Sequence, residues 1–129
     1  SYRYVQSPGT YNSLGLVKFM FPNNYAVYLH DTNSRSFFDR ANRSLSSGCV
    51  RVQNPFELSA YLLEDKDKWS LEEILKLVKT NKTTEARMKR DVQVHLLYWT
   101  AWSENEFLHF RDDLYEKDFK LYELLSNQL

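Results

Sequence analysis

The segment Ser46-Ser-Gly-Cys-Val-Arg51 contains the one cysteine of the 129-residue sequence, Cys49. A glycine before a cysteine lets the backbone turn sharply and come close to a substrate. Backbone N–H groups at such a turn can point at one spot and bind an oxyanion. Without this context a lone cysteine is more often a small buried apolar residue. With it, the segment is suggestive of a nucleophilic thiol.

Beyond the turn, alternating side chains predict a strand over residues 49–53. Cys49 and Arg51 would share one face of that strand, about 7 Å apart, while Val50 and Val52 face the other side. A nearby cation favours the reactive thiolate. A guanidinium can equally grip a substrate carboxylate, so the pattern leaves both roles open for Arg51.

A cysteine nucleophile usually needs a nearby histidine as its base, and the sequence offers three. His30 ends a predicted strand at the mouth of a long polar loop, on the same face as Tyr28, and is the best placed. His95 lies inside an apolar run and is predicted to be structural, and His109 is predicted to be exposed. A zinc site on Cys49 is disfavoured, because zinc ligands usually occur in closely spaced pairs.

Local patterns predict the elements that would position these residues. Asn54-Pro55 is typical of a helix start, and Ser70-Leu-Glu-Glu73 is a capping box that begins a second helix. The short connection after the strand at 17–21 predicts an antiparallel hairpin. The predicted strands cover 2–6, 17–21, 25–30, 49–53, 92–99 and 107–110. The predicted helices cover 55–63, 70–79 and 118–125, with a short helical turn near 34–38.

Composition indicates a globular chain, with 43% hydrophobic residues and a formal net charge of zero. A net charge of zero does not suggest a nucleic-acid-binding protein. No apolar run in the sequence has the length of a membrane span. The polar and aromatic start predicts that any export signal lies upstream. The 16% of aromatic residues are expected to fill the core, with a sugar-stacking or peptide-binding groove as the alternative.

The chain from 25 to 51 resembles the signature of the YkuD-type L,D-transpeptidases. That signature is His, a small or acidic residue and Thr, then a loop, then Ser/Thr-His-Gly-Cys, a branched apolar residue and Arg. Here it reads His30-Asp-Thr32, then Ser46-Ser-Gly-Cys-Val-Arg51. The flanking segments are similar to the larger, Gram-negative form of the domain, and they are Leu14–Asn23, Val27–Thr32, Leu96–Trp102 and Phe110–Tyr115.

The resemblance implies an α+β fold, with the mostly antiparallel sheet core of the YkuD-type catalytic domain and peripheral helices. One catalytic domain would span residues 1–129, with its active-site loop at 30–51. The family has further strands before the segment that matches Tyr2, so this chain is expected to lack them. Those strands, or another chain, would complete the sheet, because an open edge is prone to association.

The resemblance also implies a periplasmic or cell-envelope enzyme that acts on peptidoglycan stem peptides without a cofactor or metal. Cys49 would attack the diaminopimelate–D-alanine bond of a tetrapeptide stem, and an acceptor amine would resolve the thioester into a 3→3 cross-link. His30 would shuttle protons, oriented by the backbone of Asp31. The N–H groups around Ser47, Gly48 and Cys49 would hold the oxyanion.

On the substrate side, the resemblance implies that Arg51 positions the site or the substrate, and Ser46 and Tyr28 are expected to bind substrate. Carbapenem-type β-lactams would acylate the same cysteine. One departure matters, because Ser47 stands where the family signature has a second histidine. Serine can neither act as a general base nor carry positive charge there. We therefore expect a slower or differently tuned enzyme, a catalytically impaired peptidoglycan-binding relative, or a hydrolase (L,D-carboxypeptidase) that uses the same thioester.

Overall fold

The structure is a computed structural model that describes residue 2 and residues 4–127. The chain forms two compact units, residues 1–92 and residues 93–129. The described part contains α-helices and short strands in both antiparallel and parallel pairs. The predicted α+β class is confirmed, whereas a single catalytic domain over the whole chain stays a prediction.

The first unit contains a three-stranded sheet of β1 (Lys18–Phe19), β2 (Leu29–His30) and β3 (Val50–Arg51), in that order. β1 pairs antiparallel with β2, as the hairpin prediction required, and β3 pairs with β2 in parallel. Parallel pairing needs a long crossover between the two strands, and the polar loop from Asp31 to Cys49 provides it. The predicted strands are confirmed in a shorter form.

Asn23 organises the connection between β1 and β2. Its side-chain NH2 donates to the carbonyls of Phe21 (3.1 Å) and Val27 (2.8 Å). Its Oδ1 accepts from the N–H groups of Tyr25 (3.0 Å) and Val27 (3.1 Å). One amide side chain thereby satisfies four backbone groups of a tight turn, in which Ala26 takes a φ of +53°.

Two helices follow the sheet in the first unit, α1 (Pro55–Leu63) and α2 (Leu71–Val78). They pack on each other, with Leu63 and Ile74 buried. Both helix starts lie where the sequence predicted them, with Pro55 in the first turn of α1 and the Ser70 side chain accepting a hydrogen bond from the Glu73 N–H. A 3-10 helix over Arg35–Asp39 confirms the helical turn predicted inside the polar loop.

The two helix starts allow a matched test of capping. We expect Ser70→Ala to lower the free energy of unfolding by about 1 kcal/mol, because it removes the acceptor of the Glu73 N–H. Asn54→Ala should cost clearly less, since the Asn54 side chain makes no capping hydrogen bond. Urea unfolding of both variants measures the difference, and equal losses would contradict this assignment of the caps.

The second unit contains a hairpin of β4 (Ala101–Glu104) and β5 (Phe107–Phe110), followed by α3 (Asp118–Ser126). Its two turn residues, Asn105 and Glu106, both have positive φ, as a tight hairpin turn requires. The predictions of β5 and α3 are confirmed. β4 was missed, because its turn lacks the glycine that usually marks such a hairpin.

Two predicted strands are wrong. Residues 92–99 form no strand and are exposed, and Tyr2 and residues 4–6 are also outside any strand, while Arg3 lies outside the described residues. β-branched and aromatic residues favour a strand only where a partner and a half-buried surface receive them. In the described chain, no strand pairs with 92–99. His95 lies in this exposed stretch, so it does not take the structural place predicted for it.

Many apolar side chains of the second unit are exposed, among them Phe110, Phe119 and Tyr122. α3 has no buried residue, although its sequence predicted an amphipathic helix. Among the described helices, none has the length and apolar character needed to cross a membrane.

Candidate active site

The three-stranded sheet puts the predicted nucleophile and base on one face. Leu29 pairs with Val50 and His30 pairs with Arg51 in parallel register. Paired residues point to the same face, and so do residues two apart along a strand. Cys49 and His30 are therefore diagonal neighbours on one face, with Cα positions about 8 Å apart. An imidazole and a thiol that lean toward each other can span that separation.

The imidazole of His30 is buried, at 5% exposure, and its Nδ1 is hydrogen-bonded to the backbone carbonyl of Asp31. Because a carbonyl only accepts, Nδ1 carries the proton of the neutral ring, and Nε2 is left as the acceptor. Among the hydrogen bonds of the described residues, none uses His30 Nε2 or Cys49 Sγ. The tautomer is thus the one that a general base requires.

Asp31 is anchored at every polar position. Its N–H donates to the Val17 carbonyl (2.8 Å), and its carboxylate accepts from the Leu16 N–H (2.8 Å). The same carboxylate forms an ion pair with Arg35 at 2.6 Å, and the residue is only 2% exposed. The carbonyl that orients His30 therefore belongs to one of the most firmly held residues in the site.

Arg35 joins the two ends of the crossover loop. Its Nη2 donates to the Asp31 carboxylate, next to β2, and its Nη1 donates to the carbonyl of Gln53, two residues after β3. Arg35 begins the 3-10 helix inside the loop, so that helix is tied to both strands. This bridge fixes the loop that leads to Cys49 relative to the strand that carries His30.

Gly15 makes room for the Asp31 side chain. Its φ is +67°, a conformation that favours glycine, and a Cβ at this position would lie 2.5 Å from the Asp31 Cγ. Any larger residue would have to displace a buried carboxylate. The backbone at 15–16 and the carboxylate at 31 are therefore fitted to each other.

The turn before Cys49 is closed by Ser46. Its Oγ donates to the carbonyl of Cys49 (2.7 Å) and accepts from the Gly48 N–H (3.4 Å), and Gly48 has a φ of +129°. Among the described residues, no hydrogen bond uses the N–H groups of Ser47 and Cys49. The N–H groups of Ser47, Gly48 and Cys49 were predicted to bind the oxyanion. In the described residues, those of Ser47 and Cys49 have no protein acceptor and are free to donate to a ligand.

Arg51 supports the loop before Cys49 from its position on β3. Its Nη2 donates to the carbonyl of Leu45 (2.8 Å), and its guanidinium lies over the Phe37 ring at 5.3 Å from the centroid. Arg51 is thus engaged with the protein on the same face as Cys49. This contact gives it a structural role in shaping the loop, while contact with the thiolate or with substrate stays a prediction.

Tyr28 lies beside Cys49 in the pairing of the two strands. Its carbonyl accepts from the Val50 N–H (2.9 Å), which sets it directly across from Cys49. Its ring packs edge-on against Phe21, with centroids 6.2 Å apart. The predicted substrate-binding tyrosine is therefore a fixed wall of the site.

The residues predicted for the site come together: Tyr28, His30, Asp31, Ser46, Ser47, Gly48, Cys49 and Arg51 lie on β2, on β3 or on the adjoining loop. The catalytic and binding roles assigned to them stay predictions. The sequence analysis missed Gly15 and Arg35. The spacing of Asp31 and Arg35, four residues apart, was a usable signal for their ion pair.

Known proteins are similar to this chain over most of its length. The family model for the L,D-transpeptidase catalytic domain, YkuD, matches residues 1–89. The chain belongs to the YkuD family. In addition, a curated protein of Haemophilus influenzae named "Putative L,D-transpeptidase" is 41% identical over 117 residues. That alignment covers 91% of this chain and 24% of the relative, so the chain spans about a quarter of the relative's length.

The YkuD match contains the whole three-stranded sheet and the loop between His30 and Cys49. The candidate site therefore lies entirely within the region that defines the family, and the resemblance seen in the sequence is confirmed. The two other histidines, His95 and His109, lie beyond the matched region.

Proposed function

We propose that the protein is a peptidoglycan L,D-transpeptidase that uses Cys49 as its nucleophile and His30 as its base. The observation that carries this proposal is the parallel register of β2 and β3, which puts both side chains on one face. Membership of the YkuD family supports a transpeptidase-type activity on peptidoglycan. The donor would be a tetrapeptide stem, attacked at the bond between diaminopimelate and D-alanine.

In the first half-reaction, His30 Nε2 accepts the thiol proton, directly or through one water, and the Cys49 sulfur attacks the donor carbonyl. The oxyanion that forms is held by the N–H groups of Ser47 and Cys49. The C–N bond then breaks, and the imidazolium gives its proton to the leaving nitrogen of D-alanine. The products are a thioester on Cys49 and free D-alanine.

In the second half-reaction, an amine of an acceptor stem attacks the thioester carbonyl. His30 accepts the proton of the attacking nitrogen, the C–S bond breaks, and the thiolate regains a proton from the imidazolium. The product is a 3→3 cross-link. The Asp31 carbonyl keeps the imidazole in the reactive tautomer through both steps, because it accepts from Nδ1.

In this proposal Arg51 and Ser46 shape the loop around Cys49, and all three residues Arg51, Ser46 and Tyr28 contribute to binding the substrate. Arg51 and Ser46 hold the loop around the nucleophile through the Leu45 and Cys49 carbonyls, and Tyr28 offers a ring beside the sulfur. The cell envelope is the proposed location, because peptidoglycan is there. Carbapenem-type β-lactams are proposed as covalent inhibitors, since their strained carbonyl is open to the same thiol attack.

Purified muropeptides with tetrapeptide stems test the proposal. We expect cross-linked dimers and released D-alanine, and intact-mass spectrometry after carbapenem treatment should show one adduct, mapped to Cys49. Tripeptides without dimers would mean that water resolves the thioester, as in an L,D-carboxypeptidase. Binding of stems by the full-length protein without either product or adduct would overturn the enzyme proposal in favour of a peptidoglycan-binding relative.

Ser47 allows a direct test of the departure from the family signature. Its side chain is exposed, so histidine fits there without a buried clash. We expect Ser47→His to raise the acylation rate, or at least leave it unchanged, because an imidazolium near the thiolate favours the charged form. Stopped-flow measurement of carbapenem acylation is the readout. A large loss of rate would show that the site is built around serine.

A further inference from the structure

Lys18 lies on the face of the sheet that carries Cys49 and His30. In the antiparallel register of β1 and β2, it pairs directly with His30. Its side chain reaches across to the ring of Tyr28, where Nζ lies 4.1 Å from the ring centroid. Tyr28 is in turn across from Cys49, about 5 Å away between Cα positions. The ammonium is therefore one strand away from the nucleophile.

The electrostatics around Lys18 favour an anionic ligand. None of the ion pairs among the described residues includes Lys18. Lys18 pairs with His30, which pairs in turn with Arg51 on the next strand, and neither of these two residues is acidic. Asp31, the buried carboxylate nearby, already accepts from Arg35 and a backbone N–H. The Lys18 ammonium is therefore open to an anionic ligand, because no ion pair of the described residues includes it.

An open depression continues from Tyr28 toward the β1–β2 connection. It has a volume of about 380 Å³ and is lined by Met20, Phe21, Pro22, Asn23 and Tyr28. Its walls are mostly apolar, and the Lys18 ammonium lies at the tyrosine that borders it. A peptide lying here would place aliphatic atoms on the apolar wall and an anionic group beside the ammonium.

We propose that Lys18 binds a free carboxylate of the donor stem peptide and makes the site selective for stems that carry it. The inference rests on the proposed function, because the ligand is the donor of that reaction. Two carboxylates of the tetrapeptide flank the scissile bond, the terminal one of D-alanine and the side-chain one of diaminopimelate. Both offer the same chemistry to an ammonium, so amidated donors are needed to tell them apart.

A purely structural role would leave a different signature. A lysine over a tyrosine ring is stabilising by itself, by about 0.5–1 kcal/mol at exposed sites. If that were its whole contribution, removing it would affect every donor equally. A carboxylate-binding residue instead loses its effect when the carboxylate it contacts is amidated. The selectivity between donors is therefore the decisive measurement.

The experiment compares Lys18→Met, Lys18→Arg and a matched control, Lys68→Met, in the full-length protein. Lys68 also lies over an aromatic ring, with Nζ 5.4 Å from the Trp69 centroid, but it is outside the site. We expect Lys18→Met to lower kcat/KM for the free-acid tetrapeptide about tenfold, the loss of one charged hydrogen bond. Lys18→Arg should keep most of the rate, and Lys68→Met should match the wild type.

The second comparison is between donor peptides with free and with amidated carboxylates. When the carboxylate that Lys18 contacts is amidated, the kcat/KM of the wild type should fall to that of Lys18→Met on the free acid. The kcat/KM of Lys18→Met itself should not fall further on the amide. The amide that produces this equality identifies the carboxylate. Equal losses for Lys18→Met on the free acid and on both amides would overturn the inference, as would behaviour identical to Lys68→Met.

Failure of the proposed function would be visible separately. If the wild type turns over no stem peptide, calorimetry on Cys49→Ala still measures binding of the free-acid and amidated tetrapeptides. The carboxylate site would be supported, even without any transfer reaction, if one amide binds more weakly than the free acid. Adding Lys18→Met should then remove this difference in affinity. The same affinity for all three peptides, or no binding at all, would reject it.

Discussion

Cys49→Ser is expected to lower transpeptidation by on the order of a thousandfold or more, with no covalent carbapenem adduct. A serine hydroxyl beside a single histidine is a far weaker nucleophile than a thiol, and it gains little from a neighbouring cation. The change swaps one atom in a half-buried side chain, so the fold should be unaffected. Loss of activity with an unchanged unfolding transition would assign the effect to chemistry.

Two histidine variants are the control for this prediction. His30→Gln removes the base and should also abolish acylation, because no other histidine lies in the region matched by the family model. His109→Gln changes a histidine of the second unit that stacks on Trp102, and it should leave acylation unchanged. Turnover that survives in Cys49→Ser at the wild-type rate would remove the thiol from the mechanism.

The sequence was sufficient to predict that His30 and Cys49 lie near each other, while their roles as base and nucleophile stay predictions. His30 lies at the end of one short β-prone run and Cys49 at the start of another, and alternation along each strand predicted which of its residues share a face. The parallel pairing could not be read from that pattern, because register depends on how the loop between the strands folds. That fold depends on Arg35, whose hydrogen bonds reach residues 4 and 18 positions away in the chain.

The strand predicted over 92–99 was wrong for a related reason. Val92, Val94 and Leu96 have strong β propensity, but propensity measures how well a side chain fits a pleated, half-buried surface. Those side chains are exposed, and the described chain pairs no strand with them. By contrast, the helix start at Ser70 was predictable because capping involves only nearby residues.

Gly15→Ala is expected to destabilise the fold strongly, because Gly15 has a positive φ and lies against the buried Asp31 side chain. The variant residue would keep the positive φ of +67°, which costs about 1–2 kcal/mol for a residue with a Cβ. Its Cβ would also lie 2.5 Å from the Asp31 carboxylate, so Asp31 must move. Moving it weakens the hydrogen bond from Leu16 and the ion pair with Arg35.

The ion pair is discounted in this estimate, because the Arg35 side chain is 46% exposed and water can replace part of the interaction. The hydrogen bond from the Leu16 N–H has no such replacement if the group stays buried, which costs about 1–3 kcal/mol. We therefore expect Gly15→Ala to lower the free energy of unfolding by about 3 kcal/mol in total.

Gly9→Ala is the matched control. Gly9 also has a positive φ, +137°, but the nearest atom to an added Cβ is 3.7 Å away, so only the backbone term remains. Urea unfolding should show the larger loss for Gly15→Ala, and the acylation rate per folded molecule should fall in that variant alone. The rate falls because the Asp31 carbonyl that holds His30 Nδ1 moves with the displaced residue. Equal stability losses in the two variants, with equal acylation rates, would mean that Asp31 does not position the base.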